Sequence, residues 1–377
     1  MVELRSTDDD APPAGPAAGA PGGTIPGSAV VSVYPIATGH GSVASEIAKL
    51  GLTESLVLFK AHPHDAESGF DEVVRPRWNP AGLAVFASLY TPSSWGRRIR
   101  RFRAVHLTSP HFFHLVRDQP NLTGLVHDVG YLNPSRQSAS PPGFRLLFYR
   151  EIARAHQLRA LAAVSATTRD RLRAVHPELD PTVIHNWTGD QFTYREREGA
   201  RARLGLPMNR TLLLSVGLDI PRKNLDLLPR LAKRLGEKFQ IVRIGPSERI
   251  AAAFPPGSLL ARTQVPALEY PLWFNAVDAL LAPSLDEGFG VPLIEAINSQ
   301  TPIVASEVPI FEEILRGDGT MVPPQDVERW AEACRALEQI SDGRRRNCEL
   351  YRGSGDHYRA LRARREYEEF FRRAGFA

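Results

Sequence analysis

Short apolar runs alternate with helix-length segments along most of this chain, and that alternation restricts the fold more than any single residue does. Ala29 to Tyr34, Leu56 to Phe59, Ala104 to Leu107, Leu122 to Val126 and Ala160 to Val164 are too short for ordinary helices and too continuously apolar for half-exposed strands. They read as strands buried on both faces, with room between them for crossover helices. The pattern recurs in Thr211 to Gly217, Gln240 to Ile244, Ala279 to Ala282 and Ile303 to Ser306, with helices predicted over Leu225 to Leu235 and Pro266 to Ala276. The fold class is therefore α/β, built from mostly parallel sheets with helices on both sides. At 377 residues the chain exceeds what one core usually supports, so two such domains are predicted.

Bulk composition excludes several classes of function. A formal net charge of +4 is too small to argue for nucleic acid as a partner. No run approaches the roughly 18 consecutive apolar residues of a spanning helix. The N-terminus lacks the basic start and apolar segment of a secretory signal. Cys334 and Cys348 suggest neither a disulfide framework nor a metal cluster, and no metal site is predicted. A reduced, cytoplasmic compartment fits these features. Residues 1–27, rich in Asp, Ala, Pro and Gly, read as a disordered tail.

Ligands of doubly wound sheets bind beyond the carboxyl ends of the strands, so polar residues just after each strand are the candidates. Gly39 and Gly41 follow the first strand in a turn that could nest a phosphate, or simply turn the chain. Thr108, Ser109 and His111 follow the next central strand, and His127-Asp128 follow Leu122 to Val126. Ser165 and Thr167 to Arg169 close the following one. A histidine in such a place reads equally well as a structural residue. In the second half, Arg222 and Lys223 stand between a strand and a helix, where a fork-shaped and a point-like cation suit a diphosphate.

The densest stretch is EGFGVPLIE, Glu287 to Glu295. Gly288 and Gly290 permit positive φ or close approach, Pro292 suits a helix start, and Glu295 is placed in the first turn. The resulting N-terminus offers unpaired amides to an anion, while the two acids suit hydroxyl groups. Taken singly, each acid also reads as a surface or helix-start glutamate.

The longer stretch PSLDEGFGVPLIEAINSQTPIVAS, Pro283 to Ser306, resembles the donor-site signature of the retaining glycosyltransferases of family 4. That resemblance implies the GT-B architecture, two Rossmann-like parallel-sheet domains facing across a cleft with a C-terminal helix returning to the first. The domains are placed at 28–192 and 193–356, with the returning helix in 357–377, its apolar residues being Leu361, Tyr367, Phe370 and Phe371. It implies a nucleoside-diphosphate hexose donor, GDP- or UDP-linked, and a glycan, lipid-linked or small-molecule acceptor, with no further cofactor. Glu287 and His127 would contact the transferred sugar. Arg222, Lys223, Gly39, Gly41 and the backbone of Gly288, Phe289 and Gly290 would hold the diphosphate. Glu295 would meet the ribose, and Val265 the base.

Two departures from the family pattern are visible. Leu218 stands where an arginine is usual, and Gln300 where the family has glycine at a helix C-terminus. They keep open a non-catalytic nucleotide-sugar-binding protein or partner subunit; an epimerase or hydrolase on the same architecture is a further alternative, against which the transferase-type donor signature argues. The arginine-rich run Arg97 to Arg103, interleaved with Ile99 and Phe102, suggests contact with an anionic membrane surface or a solvated helix.

Overall fold

The computed structural model describes residues 23–32, 39–59, 68–74, 93–130, 142–245, 248–337, 350–351, 354 and 356–376. The first sheet domain comprises β1 (Ile25–Ser32), α1 (Gly39–Lys49), β2 (Thr53–Phe59), β3 (Glu72–Val74), α2 (Ser93–Ile99), β4 (Ala104–Leu107), β5 (Leu122–Val126), α3 (Pro142–Ala153), β6 (Ala160–Ala163), α4 (Ala166–Val175) and β7 (Thr182–Val183). The second comprises α5 (Arg197–Leu204), β8 (Thr211–Val216), α6 (Leu227–Leu235), β9 (Phe239–Ile244), α7 (Glu248–Ala251), β10 (Leu259–Arg262), α8 (Tyr270–Ala276), β11 (Ala279–Ala282), α9 (Val291–Asn298), β12 (Ile303–Ser306), α10 (Pro309–Leu315), β13 (Thr320–Val322) and α11 (Val327–Ala336).

Both sheets are parallel throughout. Among the described residues the first has seven strands in the order β3-β2-β1-β4-β5-β6-β7, and the second six in the order β10-β9-β8-β11-β12-β13. In each, chain order reverses beside the first strand, between β1 and β4 and between β8 and β11. The loops leaving those strands part to opposite faces and open a crevice at the sheet's carboxyl edge. The α/β reading of the apolar runs holds, because β4, β5, β11 and β12 are buried along their whole length. Helix α6 shows how the outer layer forms. Leu227, Leu228, Leu231, Ala232 and Leu235 recur at helical spacing on its buried side, and Gly236 ends it with φ +77°.

Several boundaries differ from the sequence reading. Strand β1 begins at Ile25, which is buried and pairs with Thr53, so residues 25–27 belong to the sheet and not to the tail. Residues 1–22 lie outside the described residues, as do Val33, Tyr34 and Cys348. Gly39 and Gly41 fall within the first turn of α1, not in a turn preceding it. The C-terminal helix, Ala360–Arg373, lies on the first sheet, where Tyr367, Phe370 and Phe371 pack their rings around His106 of β4. Leu361, expected among its packing residues, is 70% exposed; Ala363 takes an inward place instead. Among the described residues no helix is long and apolar enough to cross a membrane.

Glu313, on α10 of the second domain, caps a helix of the first. Its carboxylate accepts from the Ala166 and Thr167 amides at 2.6 and 2.9 Å and from the Thr167 hydroxyl at 2.7 Å, all at the N-terminus of α4. His185 Nε2 lies 2.7 Å away on the same carboxylate. Helix N-termini carry unpaired amides and partial positive charge, so an ionised carboxylate fits there. Burial alone would raise its pKa, but the bonds from His185, Thr167 and Ala166 override that and hold it at about 2. The stabilisation therefore belongs to the ionised form and is lost as pH falls below the ordinary carboxylate range. Glu313→Gln is expected to lower unfolding free energy at pH 7 by about 2–3 kcal/mol. Denaturant titrations from pH 7 downward should show the gap narrowing below about pH 4.5; a gap independent of pH would contradict this.

Candidate active site

The loops that leave β8 and β11 at the switch point line a cleft of about 570 Å³ between the two domains. Glu287 is its pivot. The loop after β11 turns it inward, leaving it 5% exposed. Ser284 donates to its Oε1 at 2.8 Å, the Lys223 ammonium reaches Oε1 at 2.5 Å, and Arg222 donates to Oε2. Both cations come from the loop after β8, where Pro221 to Lys223 form a 3-10 turn closed by Asn224 at φ +51°. The predicted helix at Leu225 starts later, at Leu227, because this turn intervenes. Burial alone would raise the Glu287 pKa; Lys223, Arg222 and Ser284 outweigh it and keep the carboxyl below its ordinary value. A buried carboxylate between two cations is the arrangement that makes such burial tolerable.

The loop from Glu287 into α9 is pressed against the first domain. A side chain at Gly288 would place its Cβ 2.1 Å from the His127 carbonyl oxygen, so the position has room only for glycine. The Ser165 and Thr168 hydroxyls both donate to the Gly288 carbonyl at 3.1 Å, and Arg171 binds Asp286 at 2.7 Å. The polar residues after β6, flagged as ligand candidates, thus hold this loop across the domain boundary. Gly290 caps α9 at φ +107°, a backbone state that favours glycine, and the helix start lines the cleft. Buried His127, at the end of β5, lines the same cleft from the opposite side.

Glu295 also lines the cleft, but as the fifth residue of α9 it lies in the second turn, not the first. The hydroxyl of half-buried Tyr270 donates to its Oε2 at 2.9 Å. Burial pushes the carboxyl up to about 8, with the Tyr270 bond only partly opposing it. The Tyr270 phenol is itself raised well above its ordinary value, chiefly by burial and then by Glu295. Phe192 and Phe274 meet the Tyr270 ring edge-on at 5.9 and 5.4 Å and fix its direction.

Arg222, Lys223, Glu287, Gly288, Phe289, Gly290, Glu295 and His127 are therefore brought to one cleft. Val265 is not; it packs partly buried against the core and does not line the cleft. Gly39 and Gly41 lie in α1, whose Val43 reaches the cleft, while residues 33–38 before them fall outside the described residues. Leu218 lines the cleft and is 61% exposed, so no charge is supplied from that position. Gln300 adopts φ +55°, the left-handed conformation that glycine fills more easily. In the arginine-rich run, Ile99 is fully buried and Phe102 packs on the core. Arg98 and Arg101 pair with Glu72 and Arg100 with Asp118, so the apolar side of the run serves the fold.

Tyr270 escaped the sequence reading because its link to Glu295 spans 25 positions and two elements. Arg243 also escaped it, although a cation inside a buried apolar strand is a visible anomaly.

Residues 196–351 match the family model described as Glycosyl transferases group 1. The chain is 26% identical over 246 residues to the O-antigen chain mannosyltransferase RfbU of Salmonella typhimurium, covering 62% of this chain and 65% of that protein. It is 31% identical over 195 residues to the D-inositol 3-phosphate glycosyltransferase of Mycobacterium avium, covering 48% of this chain and 44% of that protein. The chain thus spans less than two thirds of the length of either relative. Among solved structures, sucrose-phosphate synthase of Thermosynechococcus elongatus superposes with a TM-score of 0.73 at 19% identity, over 92% of this chain and 98% of that one. HepE of Anabaena in complex with UDP-glucose gives 0.72 at 14% identity, over 91% and 98%. The fold is thus the GT-B fold of glycosyltransferases. The family match in the second domain and these relatives support a glycosyltransferase.

The raised Glu295 carboxyl yields a prediction with a definite sign. Because the fold favours the protonated form, Glu295 costs stability as pH rises from the ordinary carboxylate range through about 8. A glutamine side chain at this position would keep the Tyr270 hydrogen bond without titrating. Glu295→Gln is expected to melt above the wild type at pH 9 and to converge with it below pH 4.5. A melting difference unchanged between these pH values would contradict the assignment.

Proposed function

We propose that this protein is a retaining hexosyltransferase. It moves a mannose- or glucose-type unit from a nucleoside-diphosphate sugar to a hydroxyl group of a glycan, lipid or small-molecule acceptor. The observation that carries the reading is the pairing of Arg222 and Lys223 with buried Glu287 beside the glycine-bounded start of α9. Two cations and the backbone amides of the Gly288 to Gly290 loop suit a diphosphate, while the carboxylate suits sugar hydroxyls.

On this reading the donor diphosphate settles against Lys223, Arg222 and the amides of Gly288 to Gly290. Its ribose lies at Glu295 and its hexose between Glu287 and His127. The negative charge that develops on the leaving diphosphate is met by groups already in position, with little reorganisation during reaction. Such charge-assisted contacts are worth about 1.5–3 kcal/mol each. The chain's own cations neutralise the leaving group, and the proposal gives no metal a role. Glu287 has both oxygens engaged by Ser284, Lys223 and Arg222, which suits an orienting group better than a nucleophile. Retention then follows if the acceptor hydroxyl attacks from the face the diphosphate leaves, the departing phosphate oxygen taking its proton.

UDP- and GDP-linked hexoses are the donors to screen, with nucleotide release followed in the presence and absence of acceptor extracts. Acceptor-dependent release is the expected result. Binding without release would instead support a non-catalytic sugar-nucleotide binder, and acceptor-free conversion an epimerase or hydrolase. Once a donor is known, Glu287→Gln is expected to lower kcat at least about 100-fold, the order seen when a transition-state stabilising group is removed. Nucleoside diphosphate affinity should be retained in that variant, because Arg222 and Lys223 remain. Wild-type turnover in Glu287→Gln would overturn the role given to this residue.

A further inference from the structure

Arg243 lies in β9, directly beside β8, and is 2% exposed. A guanidinium stays charged near neutral pH even when buried, so its charge needs a partner. Among the described residues the charge acting on it is Asp219, and that carboxylate is bound 2.9 Å away by Arg249. Arg243 instead donates to backbone carbonyls: Ser215 at 3.2 Å, Ile244 at 2.5 Å, and Gly217. These dipoles satisfy hydrogen atoms without cancelling a full charge, and among the described residues Nε is a buried donor with no partner.

The guanidinium sits immediately behind the wall of the cleft. Gly217 and Gly245 line that cleft, with φ +129° and +123°, and no side chain separates them. A Cβ at Gly245 would lie 2.2 Å from the Gly217 oxygen and 3.3 Å from Arg243 Nη1. The wall here is one layer of glycine backbone, the thinnest a chain can make. A trans peptide directs its C=O and N–H to opposite sides. Anchoring the Gly217 oxygen on Arg243 therefore turns the Leu218 amide away from the guanidinium.

We propose that Arg243 is a third cation of the diphosphate site, acting through the Gly217–Gly245 wall and by aiming the Leu218 amide into the cleft. A bound anion then adds to the counter-charge that Asp219, shared with Arg249, supplies to it. The inference rests on the nucleotide-sugar reading of the cleft. Arg243 is a positioning and electrostatic residue in this account, since it does not itself reach the cleft.

Calorimetric titration of the full chain with UDP, GDP and the parent nucleosides, at low and high salt, tests it. Arg243→Gln is expected to weaken the better-bound nucleoside diphosphate at least about tenfold, equivalent to about 1.4 kcal/mol. The parent nucleoside should bind as it does to the wild type. The fall of diphosphate affinity with salt should also become shallower, because one cation is gone. Arg243→Lys, which keeps the charge, should retain the wild-type ratio of diphosphate to nucleoside affinity. Equal weakening of diphosphate and nucleoside, or an unchanged salt dependence, would make Arg243 a backbone staple and overturn the proposal. Should the Gln variant fail to fold, the Lys variant decides: a collapsed ratio would overturn the idea, and a preserved one supports it. If the wild type bound neither UDP nor GDP, the reading of the cleft itself would fail, an outcome distinct from a failure confined to Arg243.

Discussion

The ion group of Arg222, Lys223 and Glu287 is the constraint on which the rest of the cleft depends. Removing one partner from a buried ion group leaves uncompensated charge, so the loops after β8 and β11 are fixed relative to each other. That fixes Gly288, and Gly288 fixes the domain contact, since its missing side chain lets the loop lie on the His127 carbonyl. The same loop leads through Gly290 into α9, setting the direction of its amides. One electrostatic arrangement thereby positions two cations, a buried carboxylate and a histidine from the other domain around one cleft.

The domain contact is polar and reciprocal. Ser165 and Thr168 of the first domain hold a carbonyl of the second, while Glu313 of the second caps a helix of the first. Ring packing of the C-terminal helix around His106 adds an apolar tie. Burial pushes the His106 imidazole down to about 3, so it is neutral beneath that helix near neutral pH. Hydrogen bonds at the cleft and apolar packing away from it divide the work, which suits two domains that meet around a ligand.

The parts legible in the sequence were those governed by local period and backbone sterics. Continuous apolar runs located the central strands, and the glycines and proline of EGFGVPLIE located the junction of β11 and α9. Strand ends drew attention to His127, Arg222 and Lys223, and all three line the cleft. What the sequence did not disclose depends on contacts between distant elements. The Tyr270 bond to Glu295, the Glu313 cap on α4 and the three carbonyls gathered by Arg243 join separate strands and helices. Leu361 was misplaced because helical period alone could not say that small Ala363 would face the sheet. Ser165 and Thr168 stood out by their position after a strand, but only the structure shows that they hold a loop of the other domain.

The most direct test of the account is a crystal structure of the wild-type chain with a bound nucleoside diphosphate, UDP or GDP. The account predicts phosphate oxygens in hydrogen-bond contact with Lys223 Nζ, with Arg222 and with the amides between Gly288 and Gly290, and a ribose hydroxyl on Glu295. A diphosphate seated elsewhere, with Arg222 and Lys223 untouched on Glu287, would contradict it.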